Sequence, residues 1–247
     1  DMGYMKETDY LMNETEIMYR QTDIWKIFRY NAFTLSQKNM WNYGGTPFSN
    51  NASLRWQSMT MNRYEWDVKE TFAWNWLDSR LLRGGPDVRF GSYFLTSAKF
   101  NTDKAKRMMF MLKYEGDHNF EGNRFNTISP SLTFRLGNHV YLSGQLDYAW
   151  NTDEMQYVAT TSPLSSSSLT PYYYVMGHMD QKTYGLTLKL QVNVTPDISI
   201  QFYGAPFTSI AKYDDFKLAA DTKSHTFENR FQRIDPDHLT YADGVYT

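Results

Sequence analysis

Five histidines, at positions 118, 139, 178, 225 and 238, are the natural places to look for acid–base or metal chemistry. No two share a metal-ligand spacing such as His-x-x-x-His. His178 stands two residues from Asp180, but one such pair is not a constellation. His139 and Ser143 fall on the same face of an alternating segment. A Ser–His hydrolase would also need a third group to orient the base, and His139 sits at a turn. Asp214, Asp215, Asp235, Asp237 and Asp243 gather late in the chain. Calcium needs several oxygen ligands, yet their spacing does not match an EF-hand loop, and a solvated acidic loop is expected. Cysteine is absent, which removes disulfides, thiolate metal sites and a cysteine nucleophile. These residues predict no catalytic site, no metal and no cofactor, so an enzyme is not expected.

A second kind of chemistry is spread along the chain. Glu65, Asp67 and Lys69, Lys113 and Glu115, Gln145 and Asp147, and Lys189 and Gln191 repeat at a spacing of two. They form a polar ladder. Such a ladder suits a lumen that conducts or binds a solute, and equally a self-paired interior that merely fills a plugged barrel. Its mixed signs argue against a strongly ion-selective pore, which uses rings of one charge. Arg80 and Arg83 flank the bend Gly84-Gly85-Pro86. Two glycines permit unusual backbone angles and proline ends a ladder. An inward-folding loop carrying its arginines into the lumen and a plain structural turn are both open. Asn13-Glu14-Thr15, Asn51-Ala52-Ser53 and Asn193-Val194-Thr195 match the glycosylation triplet, a motif short enough to arise by chance.

The elements that must position these residues alternate with period two. In Tyr64–Trp76 one parity reads Tyr64, Trp66, Val68, Glu70, Phe72, Trp74 and Trp76, and the other is polar. Successive strand side chains point to opposite faces, so one face is oily and one wet. Asn126–Leu136, His139–Trp150, Thr183–Val194 and Ile198–Pro206 repeat the pattern. Weaker strands fit Asn13–Arg20, Trp25–Gln37, Ala52–Met61, Val88–Ala98 and Met108–Gly116. The predicted strands number about ten, and most approach the roughly 9–11 residues that cross a bilayer at a tilt. Soluble strands average nearer 5–6.

Composition agrees with this class. The 247 residues are 41% apolar and 21% charged, with a formal net charge of -2. That is too apolar for disorder and not basic enough to imply nucleic acid. No apolar run approaches the roughly 20 residues of a membrane helix. Asp1–Lys6 lacks the features of a signal peptide.

Connections sort into two sets. Gln21–Ile24, Asn62-Arg63, Lys99–Arg107, Gly137-Asn138 and Thr195–Asp197 read as short. Those near 40–51, 77–87, 117–123, 151–182 and 207–247 read as long and outer. Outer-membrane barrels show this asymmetry, with aromatic girdles at the interfaces. Trp41, Trp74, Trp76, Tyr148 and Trp150 fall at the outer side. Both chain ends also fall there, which predicts a single unit over 1–247 that is an interior section of a larger barrel, incomplete at both ends.

Several motifs carry a resemblance. They are Met40-Trp41-Asn42-Tyr43-Gly44-Gly45, Arg80-Leu81-Leu82-Arg83-Gly84-Gly85-Pro86, Met179-Asp180-Gln181-Lys182-Thr183, Phe202-Tyr203-Gly204-Ala205-Pro206-Phe207 and Lys212-Tyr213-Asp214-Asp215-Phe216-Lys217. The chain resembles the C-terminal β-barrel region of an uncharacterised Bacteroidota outer-membrane family whose full-length members carry an N-terminal carbohydrate-binding family 9-like domain. The resemblance implies an outer-membrane location and a glycan link. The expected fold is an all-β, antiparallel transmembrane β-barrel. The expected role is to pass or dock a solute, with membrane lipid, a glycan or small solute, and other outer-membrane proteins as partners, and no nucleic acid. A structural anchor for the carbohydrate-binding-like domain, a component of a larger outer-membrane complex and a membrane-associated hydrolase are the alternatives.

Overall fold

The computed structural model describes residues 9–74, 76–137, 139–161, 172–195, 197–235, 241–242 and 245–246. The strands are β1 (Leu11–Gln21), β2 (Phe28–Trp41), β3 (Pro47–Thr60), β4 (Glu65–Trp74), β5 (Trp76–Asp78), β6 (Val88–Phe90), β7 (Tyr93–Asn101) and β8 (Met108–Asn119). They continue with β9 (Arg124–Leu136), β10 (Val140–Thr161), β11 (Tyr173–Asn193), β12 (Ser199–Gly204), β13 (Phe207–Ala219) and β14 (Phe231–Arg233). A 3-10 turn, Glu228–Arg230, precedes β14, and β15 (Tyr241–Ala242) pairs with β16 (Val245–Tyr246).

Twelve strands form one antiparallel sheet in the order β1-β2-β3-β4-β7-β8-β9-β10-β11-β13-β14, with β12 also on β11. The chain is therefore all-β, and the sheet is not closed: among the described residues β1 pairs only with β2. β12 pairs with Leu188–Asn193 and β13 with Val175–Gly185, so the two form one line along β11, interrupted at Ala205-Pro206. Pro206 has no N–H to donate, but its carbonyl accepts from Leu186 N at 3.0 Å.

The register keeps the two faces separate across the sheet. Asp67 pairs with Lys99, Lys99 with Lys113, and Lys113 with Ser129, all on the polar face. Trp66 pairs with Phe100 and Phe72 with Phe94 on the apolar face. The usual burial is inverted. On the polar face Ala32, Thr34, Ser53, Thr71, Ala73, Ser129 and Thr133 are buried. On the apolar face Leu35, Leu54, Leu146 and Ile210 are 55–68% exposed. Apart from the β5–β6 hairpin and the segments packed with it at one end of the polar face, no second layer covers either face among the described residues; the substantial contacts run between ladder neighbours, apart from β5 against β3. A sheet that buries one face without a covering layer must curl toward that face.

Several expected boundaries are corrected. The connection expected near 40–51 shrinks to residues 42–46, because β2 and β3 run on through polar residues. There Asn42 Oδ1 accepts from Thr46 N at 2.8 Å and closes a tight turn. The loop expected near 117–123 is only residues 120–123. Val88–Ala98 is not one strand: β6 leaves the sheet and pairs with β5. The long loop expected over 151–182 is mostly strand, since β10 reaches Thr161 and β11 begins at Tyr173. Bulges between Asp153 and Gln156 and between Tyr157 and Ala159 break the period that would have revealed it. Phe207–Ala219, expected within an outer connection, is strand β13. The strand ends that flank the long β4–β7, β10–β11 and β13–β14 connections all lie at the same end of the sheet, here called the loop end.

Candidate functional site

β10 and β11 continue about ten residues past the paired Trp150 and Lys182, and the loop-end segments pack on this extension. Leu82, Val88, Met155 and Met176 are fully buried there and pack with Phe90, Tyr157, Tyr174, Phe227 and Phe231. Local chemistry sets the shape of segment 77–92. Asp78 Oδ1 accepts from the N–H groups of Arg80 and Leu81 at 2.7 and 3.0 Å, starting a turn. Gly84 then takes φ +108°, and Gly85 lies so close to Tyr174 that a Cβ would come within 2.7 Å of the ring. The segment is tied to the end of the sheet: Thr222 Oγ1 donates to Asp87 O at 2.7 Å, and Arg89 Nε to Lys223 O at 2.9 Å.

A buried ion pair locks this cap. Arg230, 1% exposed, donates to Glu121 through Nη1 at 3.0 Å and Nη2 at 2.8 Å. The remaining guanidinium bonds go to the carbonyls of Arg89, Ser224 and His225. Lys217, also buried, lies 3.7 Å from Asp215 and 3.8 Å from Glu154, with the rings of Phe227 and Phe231 beside its ammonium.

Beneath the β5–β6 hairpin lies a cavity of about 330 Å³. Its floor is the polar face of β7–β11 at the loop end, with Asp117, Asn151, Asp153 and Met179 along it. Phe90, Tyr93 and Phe125 supply ring surfaces, and Arg124 the cation. Asn123 Nδ2 and Asn151 Oδ1 are buried there without a hydrogen-bond partner. Burial pushes the Asp153 carboxyl above its ordinary range, although it accepts the Met155 N–H at 2.8 Å.

The expected ladder residues share the polar face, and most of them are bonded to neighbouring side chains. Arg55 makes two bonds to Asp67, and Gln57 donates to the same carboxylate at 3.2 Å. Lys104 pairs with Glu65, and Lys113 with Glu115 at 2.7 Å. Ser129 and Gln145 donate to Asp147 at 2.5 and 2.8 Å. Lys189 lies over the Tyr203 ring, Gln191 donates to Asn193, and Lys69 is exposed. The ladder does not converge on one point. Arg80 and Arg83 are exposed; Arg83 lies 4.6 Å from the Tyr157 ring centroid, and neither lines the cavity. Pro86 is exposed as well. Of the expected interface aromatics, Trp41 and Trp74 end β2 and β4, and Tyr148 stacks between Trp150 and Tyr184. The Trp76 side chain lies outside the described residues.

His139 bonds the Asn193 carbonyl and Ser143 bonds Thr133, so the two do not pair. His178 faces three carboxylates: Glu154 at 3.0 Å, Asp180 at 3.5 Å and Asp214 at 4.0 Å. Among the described residues no group of three or more His, Asp or Glu is arranged to hold a metal ion. Asp237, Asp243 and His238 lie outside the described residues. The cavity residues Asn123, Asn151, Asp117, Tyr93 and Phe125 were not legible as a site. The available signal was parity, which puts Asp117 in line with Lys113 and Glu115, and Asn151 in line with Gln145 and Asp147.

Comparison with known proteins returns one family, described as "Domain of unknown function (DUF5916)", whose match spans residues 1–241. No curated protein matches the chain, and no solved structure does.

Proposed function

We propose that this chain, which belongs to the DUF5916 family, is a section of a transmembrane β-barrel in a bacterial outer membrane that passes or docks a polar solute along its inner face. The observation that carries this reading is the inverted burial. Large apolar side chains on one face stay exposed while small polar ones on the other are covered. A soluble sandwich would bury its apolar face against a second sheet. A membrane barrel turns that face to lipid and keeps a polar interior.

Aromatic belts support the same reading. At the loop end of the apolar face Phe72 stacks with Trp74 and packs at a tilt against Phe94, and Tyr148 stacks with Trp150 and Tyr184. At the turn end Trp25, Phe28 and Trp56 associate, as do Tyr64, Trp66 and Phe100. Trp66 and Trp74 are eight residues apart on β4, or ~26 Å at ~3.3 Å per residue. At the roughly 40° tilt of barrel strands this spans ~20 Å along the membrane normal, most of the roughly 25 Å apolar band of an outer-membrane barrel.

The direct test is the full-length protein reconstituted in liposomes. Flotation with the vesicles that resists carbonate and high salt is expected, as is conductance in a planar bilayer. Protein that stays in the aqueous fraction with cooperative unfolding would remove the membrane reading. The cap packed across the loop end favours a second reading, a membrane anchor or closed dock. It predicts vesicle association with flat current traces.

A further inference from the structure

We infer that a groove at the turn end of the sheet holds the head group of an anionic glycerophospholipid. This site rests on the proposed membrane reading and gives it a specific lipid partner. β4 pairs with β7, so the β3–β4 and β7–β8 turns stand side by side. They enclose a groove of about 440 Å³. Its two sides differ in chemistry. On one side Tyr64, Met108 and Phe110 extend the apolar face, with Met108 paired to Phe134 and Phe110 to Leu132, and all three are exposed. On the other stand Arg63 and Lys106, with Asp103 in the same wall. Among the described residues neither cationic side chain has a hydrogen bond or an ion pair. Asp103 Oδ1 accepts the Ala105 N–H at 2.9 Å, and its single charge leaves one of the two cations unbalanced. Lys104, the next cation along, is taken up by Glu65.

The backbone gives a second reason to assign Arg63 a task. Its φ is +60°, in the left-handed region that glycine or asparagine fills most easily. The β1–β2 turn repeats the choice: Lys26 has φ +54°, and its ammonium lies 4.8 Å from the Trp25 ring centroid. A tight turn has no need of a cation at either position; an anionic partner has. A phospholipid meets both sides of the groove at once. Its phosphodiester accepts from the guanidinium and the ammonium, and an acyl chain covers Tyr64, Met108 and Phe110. Short barrel turns face the periplasm, so the lipid comes from the periplasmic leaflet. A zwitterionic lipid would bring its own cation to a wall that already has an excess. Soluble phosphate would bond the cations and leave the apolar side uncovered.

The test is native mass spectrometry of the full-length protein in detergent, titrated with phosphatidylglycerol or with phosphatidylcholine of the same chain length. Inorganic phosphate is the competitor. Phosphatidylglycerol is expected to bind roughly tenfold or more tightly than phosphatidylcholine, and its affinity should fall about fivefold in Arg63→Gly and in Lys106→Gln, the effect of one basic residue near an anionic membrane surface. Glycine suits the turn at position 63, so Arg63→Gly should melt no lower than wild type while it loses the lipid. Three results overturn the site: the two lipids bind alike, the preference survives in the folded double variant, or inorganic phosphate at equal concentration displaces the lipid. Protein that resists carbonate extraction from vesicles but shows no lipid preference sinks this site and spares the membrane reading. Protein that carbonate strips from phosphatidylglycerol vesicles sinks the membrane reading, and this site with it.

Discussion

Arg230 and Glu121, 109 residues apart, meet in a two-bonded fork, with the guanidinium 1% exposed. The fork joins the β8–β9 turn to the segment beyond β13, ladders that are not neighbours in the sheet. Removing one partner of a buried pair strands the other charge, at roughly 3–5 kcal/mol. Glu121→Ala should therefore loosen the cap by that order, read as lost hydrogen-exchange protection over residues 220–230. The double variant Glu121→Leu, Arg230→Met should recover much of it, since a matched apolar pair strands no charge. A double variant as unprotected as the single one would show that the fork's geometry, not its charge balance, holds the cap.

Gly91 supplies an independent handle on the same fork. Its N–H donates to Glu121 Oε2 at 2.9 Å, and a Cβ built there would lie 2.5 Å from the Glu121 carboxyl carbon. Gly91→Ala should push Glu121 off Arg230 and reproduce the loss of protection without altering any charge. Wild-type exchange rates in that variant would mean the carboxylate can shift without cost.

Glu70 is the acidic residue within the apolar parity of β4, and Thr96 Oγ1 bonds its Oε2 at 2.7 Å across the ladder. In a lipid-facing setting a carboxyl is costly and one hydrogen bond offsets only part of the cost. Glu70→Leu should raise the melting temperature in detergent. Thr96→Val should lower it, through a stability loss of roughly 1–3 kcal/mol for the bond left unmade. If Glu70→Leu melts lower than wild type, the face that bears it is not in lipid.

How much of this was legible depends on where the period of two survives. β4 was readable because Trp66, Val68, Phe72 and Trp74 keep strict parity against Asp67, Lys69 and Thr71. β10 was readable only to Trp150, because its later bulges put successive residues out of step with the ladder. β13 was hidden by its charges, Lys212 to Lys217, and by Asp215, whose φ of 46° breaks the extended run. The cavity left no local trace. Asn123 and Asn151 are separated by the whole β9–β10 hairpin, and only its register brings them to one space. Arg80 and Arg83 drew attention by composition, yet the arginine lining the cavity is Arg124, which closes the β8–β9 turn.

Charge on the polar face sets a prediction for permeation. Lys189 lies on the polar parity of β11, over the Tyr203 ring. If solute and ions pass along this face, Lys189→Glu adds two negative charges to its wall relative to wild type. The reversal potential in a salt gradient should then move toward cation selectivity, more strongly at low salt, because screening shortens the reach of the charge. An unchanged reversal potential in a conducting variant would place the ion path elsewhere.

His178 carries the pH prediction. Burial lowers its affinity for a proton, but Glu154 and Asp180 outweigh that and hold its pKa above the ordinary histidine value. Asp180, bonded by Thr152 Oγ1 and facing His178, is held below the ordinary aspartate value. The two shifts define a window in which the pair is ionised together. The histidine's contribution is complete below about pH 6.5, the unfolded value, and fades as pH rises through the higher folded value. Asp180 adds stability above its own unfolded value and loses it only in acid. Exchange protection over the β10–β11 extension should therefore fall as pH is raised from about 6 into the alkaline range, after correction for intrinsic exchange. His178→Gln should flatten that dependence and leave the acid limb in place. A slope that persists unchanged in His178→Gln would assign the titration to another group.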